Sequence, residues 1–294
     1  DREGPVMTSI SDLTEIRAYE PERIAQALVD RRPGEGPKPG SKAMIIACDH
    51  PARGALGAGA DGMAMADRND LLARCVAALS RPGVTGFLGT ADMIEDLALL
   101  GALEGKDVYG SMNRAGLQGS SFEMDDQFNC YDAQQIVASG LDGGKTLTRI
   151  NLNDPATADT LTATAKAIDG LAEVGKMIMV EPFMSNWVDG KVVNDLSPDA
   201  VIKSISIASG LGRTSAHTWL KLPCVDEMER VMASTTLPAL ILGGEVPNDP
   251  DAAFAGWAGA LALPNVLGLV IGRSLLYPGD GDVERAVDNA VELL

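Results

Sequence analysis

Four ionisable residues stand at or beside the ends of short apolar runs that are typical of buried β-strands: Asp49, Lys145, Glu181 and Lys221. A charge inside a folded protein is costly unless an opposite charge pairs with it, so we expect the two acids and two lysines to share one cluster. A structural pair such as Lys145–Glu181 would need no function. Four such groups together favour catalysis, because perturbed ionisable groups concentrate at active sites.

Lys221 lies inside the apolar run Thr218–Cys224. A lysine that is partly removed from water and close to a second cation loses proton affinity and becomes a nucleophile. We expect Lys221 to condense with a ketone, which gives an iminium that accepts electrons from an adjacent C–C bond. Lys145 would be the neighbouring cation, while Glu181 and Asp49 would transfer protons. These residues suffice for an aldolase that needs no cofactor.

An anion site is predicted at the ends of the last two apolar runs. Gly243 and Gly244 follow one run, and Gly272 and Arg273 follow the next. Glycines allow backbone N–H groups to approach phosphate oxygens, and an arginine adds charge-assisted hydrogen bonds. Tight turns with a surface arginine are the alternative. The occurrence of both features in consecutive units favours a phosphate site.

The chain from residue 42 repeats one form, a short apolar run, a loop and an amphipathic helix. Eight runs are predicted strands: Ala43–Cys48, Gly83–Leu88, Asp107–Met112, Thr146–Ile150, Met177–Val180, Thr218–Leu220, Ala239–Leu242 and Leu267–Ile271. Eight helices are predicted between and after them, near residues 69–80, 91–104, 131–139, 155–174, 198–210, 225–234, 250–261 and 281–293. This alternation predicts an α/β fold, a (β/α)8 TIM barrel. A doubly wound sheet usually has a glycine-rich loop after its first strand, and Cys48–Gly54 is not one.

Residues 1–40 are predicted to be an extension to a single barrel domain over 41–294. An extra N-terminal helix is expected near Ser11–Arg31, where apolar residues recur at helical spacing. The segment Pro33–Gly40 is rich in proline and glycine and reads as a linker. We expect the extension to be a lid or an oligomer contact, and the protein to be a homo-oligomer.

Long loops after the first, third and fifth predicted strands should form the pocket: 50–68, 113–130 and 182–197. The second loop is polar and rich in glycine, so we expect it to be mobile. His50 could contact a substrate, although a histidine in such a position more often only forms hydrogen bonds within its loop.

Composition narrows the possible partners. The formal net charge of −17 opposes binding to nucleic acid and gives no reason for adhesion to an anionic membrane. Two histidines, His50 and His217, cannot supply a three-imidazole site, and we expect no bound metal. Four separated cysteines without a CxxC motif favour reduced thiols in a cytoplasmic protein. No apolar run reaches about 18 residues, and no signal-like segment opens the sequence, so we expect a soluble protein.

These motifs resemble those of class I, lysine-dependent aldolases of the barrel superfamily, in particular the tagatose-bisphosphate and sulfofructose-phosphate aldolases. The similar features are an Asp after strand 1, a strand-4 Lys, Val-Glu-Pro at strand 5, Leu-Lys-Leu at strand 6 and Ile-Gly-Arg-Ser after strand 8. The resemblance covers roughly residues 42–277. It implies catalytic or phosphate-binding roles for five residues: Asp49, Lys145, Glu181, Lys221 and Arg273.

The chain also resembles aldolase-like proteins of bacterial inositol-catabolism clusters, which would suggest 5-dehydro-2-deoxygluconate 6-phosphate as a substrate. It departs from the sugar-bisphosphate enzymes in two places. Asp49-His50-Pro51 stands where they have Asp-Gln-Arg, and the 113–130 loop differs from theirs. We therefore expect a phosphorylated keto sugar or keto acid and leave its identity open.

Two other functions fit the same residues. A metal-dependent aldolase or lyase would hold Mg²⁺ through carboxylates, and insensitivity to a chelator would remove it. A non-catalytic barrel that binds a ligand would keep the charges as structural pairs. Failure of borohydride to trap any ketose phosphate would favour that binding protein.

Overall fold

Eight parallel strands close into a barrel in the computed structural model, which describes residues 7–294. A ninth strand pairs antiparallel with one of them. The strands are β1 (Ala43–Cys48), β2 (Gly86–Gly89), β3 (Asp107–Ser111), β4 (Gly143–Ile150), β5 (Met177–Val188), β6 (Lys191–Asn194), β7 (Thr218–Pro223), β8 (Ala239–Leu242) and β9 (Val266–Ile271). The ring order is β4-β3-β2-β1-β9-β8-β7-β5, and β5 pairs with β4 to close it.

Helices lie between successive barrel strands, so the predicted (β/α)8 TIM barrel is confirmed. The α-helices are α1 (Leu13–Tyr19), α2 (Glu22–Asp30), α3 (Arg68–Leu79), α4 (Ala91–Leu99), α5 (Ala133–Ala138), α6 (Ala156–Glu173), α7 (Pro198–Ser209), α8 (Met228–Met232), α9 (Pro250–Leu261), α10 (Arg273–Leu276) and α11 (Val283–Val291). Side-chain N-caps begin five of them, because each side-chain oxygen accepts an otherwise free backbone N–H: Asp67, Asp132, Ser197, Asp249 and Asp282.

The barrel strands are buried on both faces, which explains why they read as continuous apolar runs. One face of each packs against the helices. The other faces of several strands form an inner cluster: Ile45, Ala47, Leu88, Tyr109, Met179, Leu240 and Val270. Because side chains alternate along a strand, a residue two positions beyond an inner residue also points inward.

Two helices replace the single helix expected over 11–31. Pro21 separates α1 from α2, since proline disfavours helical backbone in the residue before it, and Glu20 has a φ of −138°. Arg31 then donates hydrogen bonds to the carbonyls of Lys106 and Gly140, each 2.8 Å away, at the amino ends of β3 and β4. The extension therefore packs at the end of the barrel where β3 and β4 begin. It is therefore not a lid over the carboxyl ends of the strands. Its role as an oligomer contact stays a prediction.

The loop expected over 182–197 is mostly a β-hairpin, so that prediction was wrong. β5 continues to Val188, and β6 pairs with its last four residues. Asp189 and Gly190 form the turn with positive φ values of 51° and 76°. Asp-Gly is a common sequence for a two-residue hairpin turn, and here it stands between Val188 and Lys191, a signal that the sequence analysis overlooked.

Two helices near the last strands also differ from expectation. The helix predicted over 225–234 is limited to α8, and α10 was not predicted. Glu227 precedes α8 with a φ of 58°, a left-handed conformation that cannot belong to an α-helix, which delays the start of α8. Four-residue α10 is too short for helical periodicity to reveal.

The 113–130 loop, which we expected to be mobile, is partly buried in the protein. Asn113, Arg114 and Asp126 are almost fully buried. The Asn113 amide donates to the carbonyls of Asp126 at 3.1 Å and Leu147 at 2.7 Å. The buried polar residues thus hold the two ends of the loop against the barrel, while Gln118, Ser121 and Gln127 face solvent.

Candidate active site

A cavity of about 680 Å³ opens at the carboxyl ends of the barrel strands. Its volume lies in the range of small-molecule sites. All eight residues predicted from the sequence line it: Asp49, Lys145, Glu181, Lys221, Gly243, Gly244, Gly272 and Arg273. The structure therefore brings both predicted groups of residues to one space.

Strand alternation directs the catalytic candidates inward. Asp49 lies two residues beyond Ala47, and Glu181 two beyond Met179; both earlier residues belong to the inner cluster. Lys221 stands between two residues of the outer core, so it faces inside. The sequence reading placed Lys145 at the start of its strand, whereas it is the third residue of β4.

Glu181 joins the two lysines. Its Oε1 atom lies 2.9 Å from Lys145 Nζ, and its Oε2 atom lies 2.9 Å from Lys221 Nζ. All three residues are more than 90% buried. A carboxylate that contacts two amines can exchange protons with groups attached to either one.

Asp49 forms the second acidic centre. Its Oδ2 atom lies 3.1 Å from Lys145 Nζ and 3.2 Å from Arg114 Nη1, and it accepts a hydrogen bond from Ser111 at 3.1 Å. Lys145 thus contacts two carboxylates, whereas Lys221 contacts one among residues 7–294. An ammonium has three N–H donors, so Lys221 keeps more of its nitrogen available for a substrate.

Burial and neighbouring charges shift the pKa values of this cluster. Burial lowers the pKa of Lys145 to about 8, and Arg114 lowers it in the same direction against the two acids. Burial alone would raise the pKa of Glu181, but Lys145 and Lys221 hold it well below its ordinary value. Asp49 behaves likewise, with Arg114 and Lys145 holding its pKa well below the usual range. Both acids are therefore ionised at neutral pH.

Arg114 is the main residue of the cluster that sequence reasoning missed. It lies in the loop expected to be mobile, yet it is 2% exposed and contacts Asp49. Arg114 Nε also donates a hydrogen bond to the backbone carbonyl of Asn113 at 2.7 Å. The available signal was an arginine two residues after the third apolar run, at the same strand end as the other charged candidates.

The predicted phosphate site forms one side of the cavity. Gly244 has a φ of 70°, which a residue with a side chain rarely adopts. At Gly272 a Cβ atom would lie 2.5 Å from the carbonyl oxygen of Ala47, so only glycine fits there. Among the described residues, 7–294, Arg273 has one ion pair, to Glu245 at 3.9 Å, and Glu245 is largely exposed. The contact is long, and the carboxylate that makes it faces solvent.

His50 lies beside this phosphate site. A Cβ atom at Gly272 would be 2.9 Å from His50 Cε1. Burial lowers the pKa of His50 to about 3, and Arg273 and Lys221 act in the same direction. The imidazole is therefore neutral at physiological pH and can donate or accept one hydrogen bond.

A family model decides the relationship of the chain to known proteins. The model of the family described as Cgl0159-like matches residues 41–291. The chain belongs to the Cgl0159-like family. The crystal structure of Cgl0159 from Corynebacterium glutamicum has 56% sequence identity to it and a TM-score of 0.95, with 99% of this chain and 98% of that chain covered. No curated protein matches the chain.

More distant solved structures share the fold of this Cgl0159-like protein. A Schiff base forming fructose-1,6-bisphosphate aldolase is 16% identical, with a TM-score of 0.63 over 92% of this chain and 99% of that chain. A fructose-bisphosphate aldolase from Slackia heliotrinireducens is 14% identical, with a TM-score of 0.62 over 98% and 86%. At these identities the similarity shows a common barrel fold.

Two further structural findings on this Cgl0159-like protein concern metal-binding groups and membrane-spanning helices. Within residues 7–294, no three His, Cys, Asp or Glu side chains converge as a metal-binding group would require. None of the described helices has the length and hydrophobicity to cross a membrane.

Proposed function

We propose that this Cgl0159-like protein is a class I aldolase that cleaves or forms a C–C bond in a phosphorylated keto sugar or keto acid. The contact of Glu181 with both Lys145 and Lys221 at 2.9 Å carries the proposal. It places a proton acceptor beside Lys221, an amine that contacts no other carboxylate among residues 7–294. The structurally similar Schiff-base aldolases support the proposal through their common barrel.

Lys221 attacks the ketone carbon, and loss of water leaves an iminium. The electron pair of the adjacent C–C bond then moves toward the iminium nitrogen, which gives an enamine. Glu181 accepts the proton of the carbinol hydroxyl as the aldehyde leaves. Protonation of the enamine carbon and addition of water release the ketone and restore Lys221.

Lys145 stays mostly protonated below a pH of about 8, its lowered pKa. Its charge stabilises the ionised forms of Glu181 and Asp49, which it contacts. Asp49 orients a substrate hydroxyl or assists formation of the iminium. Arg273 and the backbone at Gly243, Gly244 and Gly272 bind the phosphate of the substrate.

The inventory of charges fits an anionic substrate. Six basic side chains line the cavity: Arg53, Arg114, Lys145, Arg149, Lys221 and Arg273. They form ion pairs with four acids, of which Asp49, Glu123 and Glu181 are buried and Glu245 is exposed. The cavity is therefore locally positive in a chain of formal net charge −17. We propose 5-dehydro-2-deoxygluconate 6-phosphate, which the resemblance suggested, as the first substrate for assay.

Borohydride reduction tests the reaction class. The protein is incubated with dihydroxyacetone phosphate and borohydride, with and without a chelator, and its intact mass is measured. We expect one reduced triose phosphate to be added under both conditions. Turnover of a sugar phosphate that stops with chelator, without any adduct, would favour the metal-dependent alternative. Absence of adduct and of turnover with a panel of ketose phosphates would favour a binding protein.

A further inference from the structure

Two buried arginines line the cavity away from the residues used above. Arg149 lies on β4, four residues beyond Lys145 on the same inward face, which is about 13 Å further toward the mouth. Arg53 ends a short 3-10 helix after β1 and also lines the cavity. Their side chains are 6% and 13% exposed.

These guanidiniums have few partners for their buried position. Arg53 Nε donates to the Gly116 carbonyl at 3.1 Å, and Arg149 Nη1 donates to the Glu123 carbonyl at 3.0 Å. Each makes that one hydrogen bond within residues 7–294, although a guanidinium has five N–H donors. Arg149 Nε is buried without a partner among the described residues.

Glu123 pairs with the two arginines only through long contacts among residues 7–294, and the charge of buried Asp126 acts on both without an ion pair. Its Oε2 atom lies 3.7 Å from Arg53 Nη2 and 3.5 Å from Arg149 Nη2. Its Oε1 atom accepts the backbone N–H of Gly119 at 2.6 Å instead. One carboxylate oxygen thus faces two guanidiniums at distances beyond good hydrogen bonds, which leaves donors for another oxyanion.

The ring order places Arg149 across the barrel from Arg273. Counting around β4-β3-β2-β1-β9-β8-β7-β5, the strands β4 and β9 are diametrically opposite. Arg149 is on β4, and Arg273 follows β9. A ligand whose phosphate binds Arg273 and whose other end reaches Arg149 must therefore pass across the barrel mouth above Lys145.

We propose that Arg53 and Arg149 form a second oxyanion subsite, which binds a carboxylate or a second phosphate at the end of the substrate remote from the Arg273 phosphate. This proposal rests on the proposed function in one respect, since that function places the phosphate end of the substrate at Arg273. Glu123 competes for the same guanidiniums and so tunes the affinity of the subsite. A planar carboxylate can bind a guanidinium through two parallel hydrogen bonds.

A matched pair of ligands without a carbonyl group tests the subsite separately from the Schiff base. 6-Phosphogluconate and glucitol 6-phosphate have the same carbon chain and phosphate, and they differ in a terminal carboxylate against a neutral hydroxymethyl group. Calorimetric titration of the full chain should show about 10- to 100-fold tighter binding of 6-phosphogluconate. Equal affinities, or no measurable binding of 6-phosphogluconate, would overturn the proposal without bearing on the aldolase reaction.

Variants assign the preference to these residues. Arg149→Gln and Arg53→Gln should each bring the ratio of affinities, 6-phosphogluconate over glucitol 6-phosphate, closer to one. Arg273→Ala should weaken the binding of both ligands equally. Glu123→Gln should increase the ratio, because it removes the competing charge. A ratio that none of these substitutions changes would place the carboxylate elsewhere and overturn the assignment. Glucitol 1,6-bisphosphate carries a phosphate where 6-phosphogluconate has its carboxylate. Tighter binding of the bisphosphate would show that the subsite prefers a phosphate.

Discussion

The Nζ atom of Lys221 lies 2.9 Å from Oε2 of Glu181, and the other oxygen of the same carboxylate contacts Lys145. A single carboxylate therefore contacts both the proposed nucleophile and its cationic neighbour. Loss of the acid and loss of the amine must have different consequences, since iminium formation precedes bond cleavage.

Glu181→Gln should still form the adduct that borohydride traps but lose about 10²- to 10⁴-fold in turnover, the usual contribution of a general acid or base. Glutamine keeps the shape and a hydrogen-bond acceptor but cannot take the proton. Steady-state turnover and intact mass after reduction are measured on the same preparation. Near-normal turnover would assign the proton transfer to Asp49 and leave Glu181 as a structural partner of the lysines.

Arg114→Met should move the alkaline limb of the pH–rate profile to higher pH. Arg114 adds to burial in lowering the pKa of Lys145 to about 8, so its removal lets that pKa rise. Protonated Lys145 then persists to higher pH. The profile of kcat/KM is compared with that of the wild type. An unchanged alkaline limb would show that Lys145 does not control it.

The sequence predicted the barrel and its inward charges because alternation along strands is local. Asp49 and Glu181 each stand at the end of a short apolar run, where a charge is conspicuous. Arg114 and Arg149 escaped notice for the opposite reason. Arg114 lies in a loop whose glycines suggested mobility. Arg149 is the penultimate residue of β4, and its carboxylate partner, Glu123, lies 26 residues earlier in the chain. Such pairings depend on tertiary packing, which local pattern does not encode.

Arg273→Ala should weaken the binding of phosphorylated substrates by about 1.5–3 kcal/mol, the contribution of a charged hydrogen bond. The effect should appear in KM for a phosphorylated ketose and be absent for the same sugar without phosphate. Arg230→Ala is a suitable control, since Arg230 is exposed and pairs with Asp199 away from the cavity. Equal losses for both sugars would contradict a phosphate-binding role.

Acid should reduce the stability that Glu181 contributes. Its pKa in the folded protein lies below the ordinary 4.5, so this contribution is complete above that value and is lost as the pH falls through the folded pKa. Glu181→Gln should therefore lower the free energy of unfolding by about 3–5 kcal/mol near neutral pH, where two buried lysines lose their partner. The difference should narrow in acid. Urea unfolding of both proteins between neutral pH and a pH of about 3 measures it, and a constant difference would refute the coupling.

The central claim is that Lys221 is the amine that binds the ketone. The most direct measurement is peptide mapping by mass spectrometry after reduction of the complex with dihydroxyacetone phosphate. The reduced triose phosphate should lie on Lys221, and Lys221→Met should prevent its formation, while Lys145→Met should retain a trappable but slower reaction. A label on Lys145, or an undiminished label in folded Lys221→Met, would contradict the account.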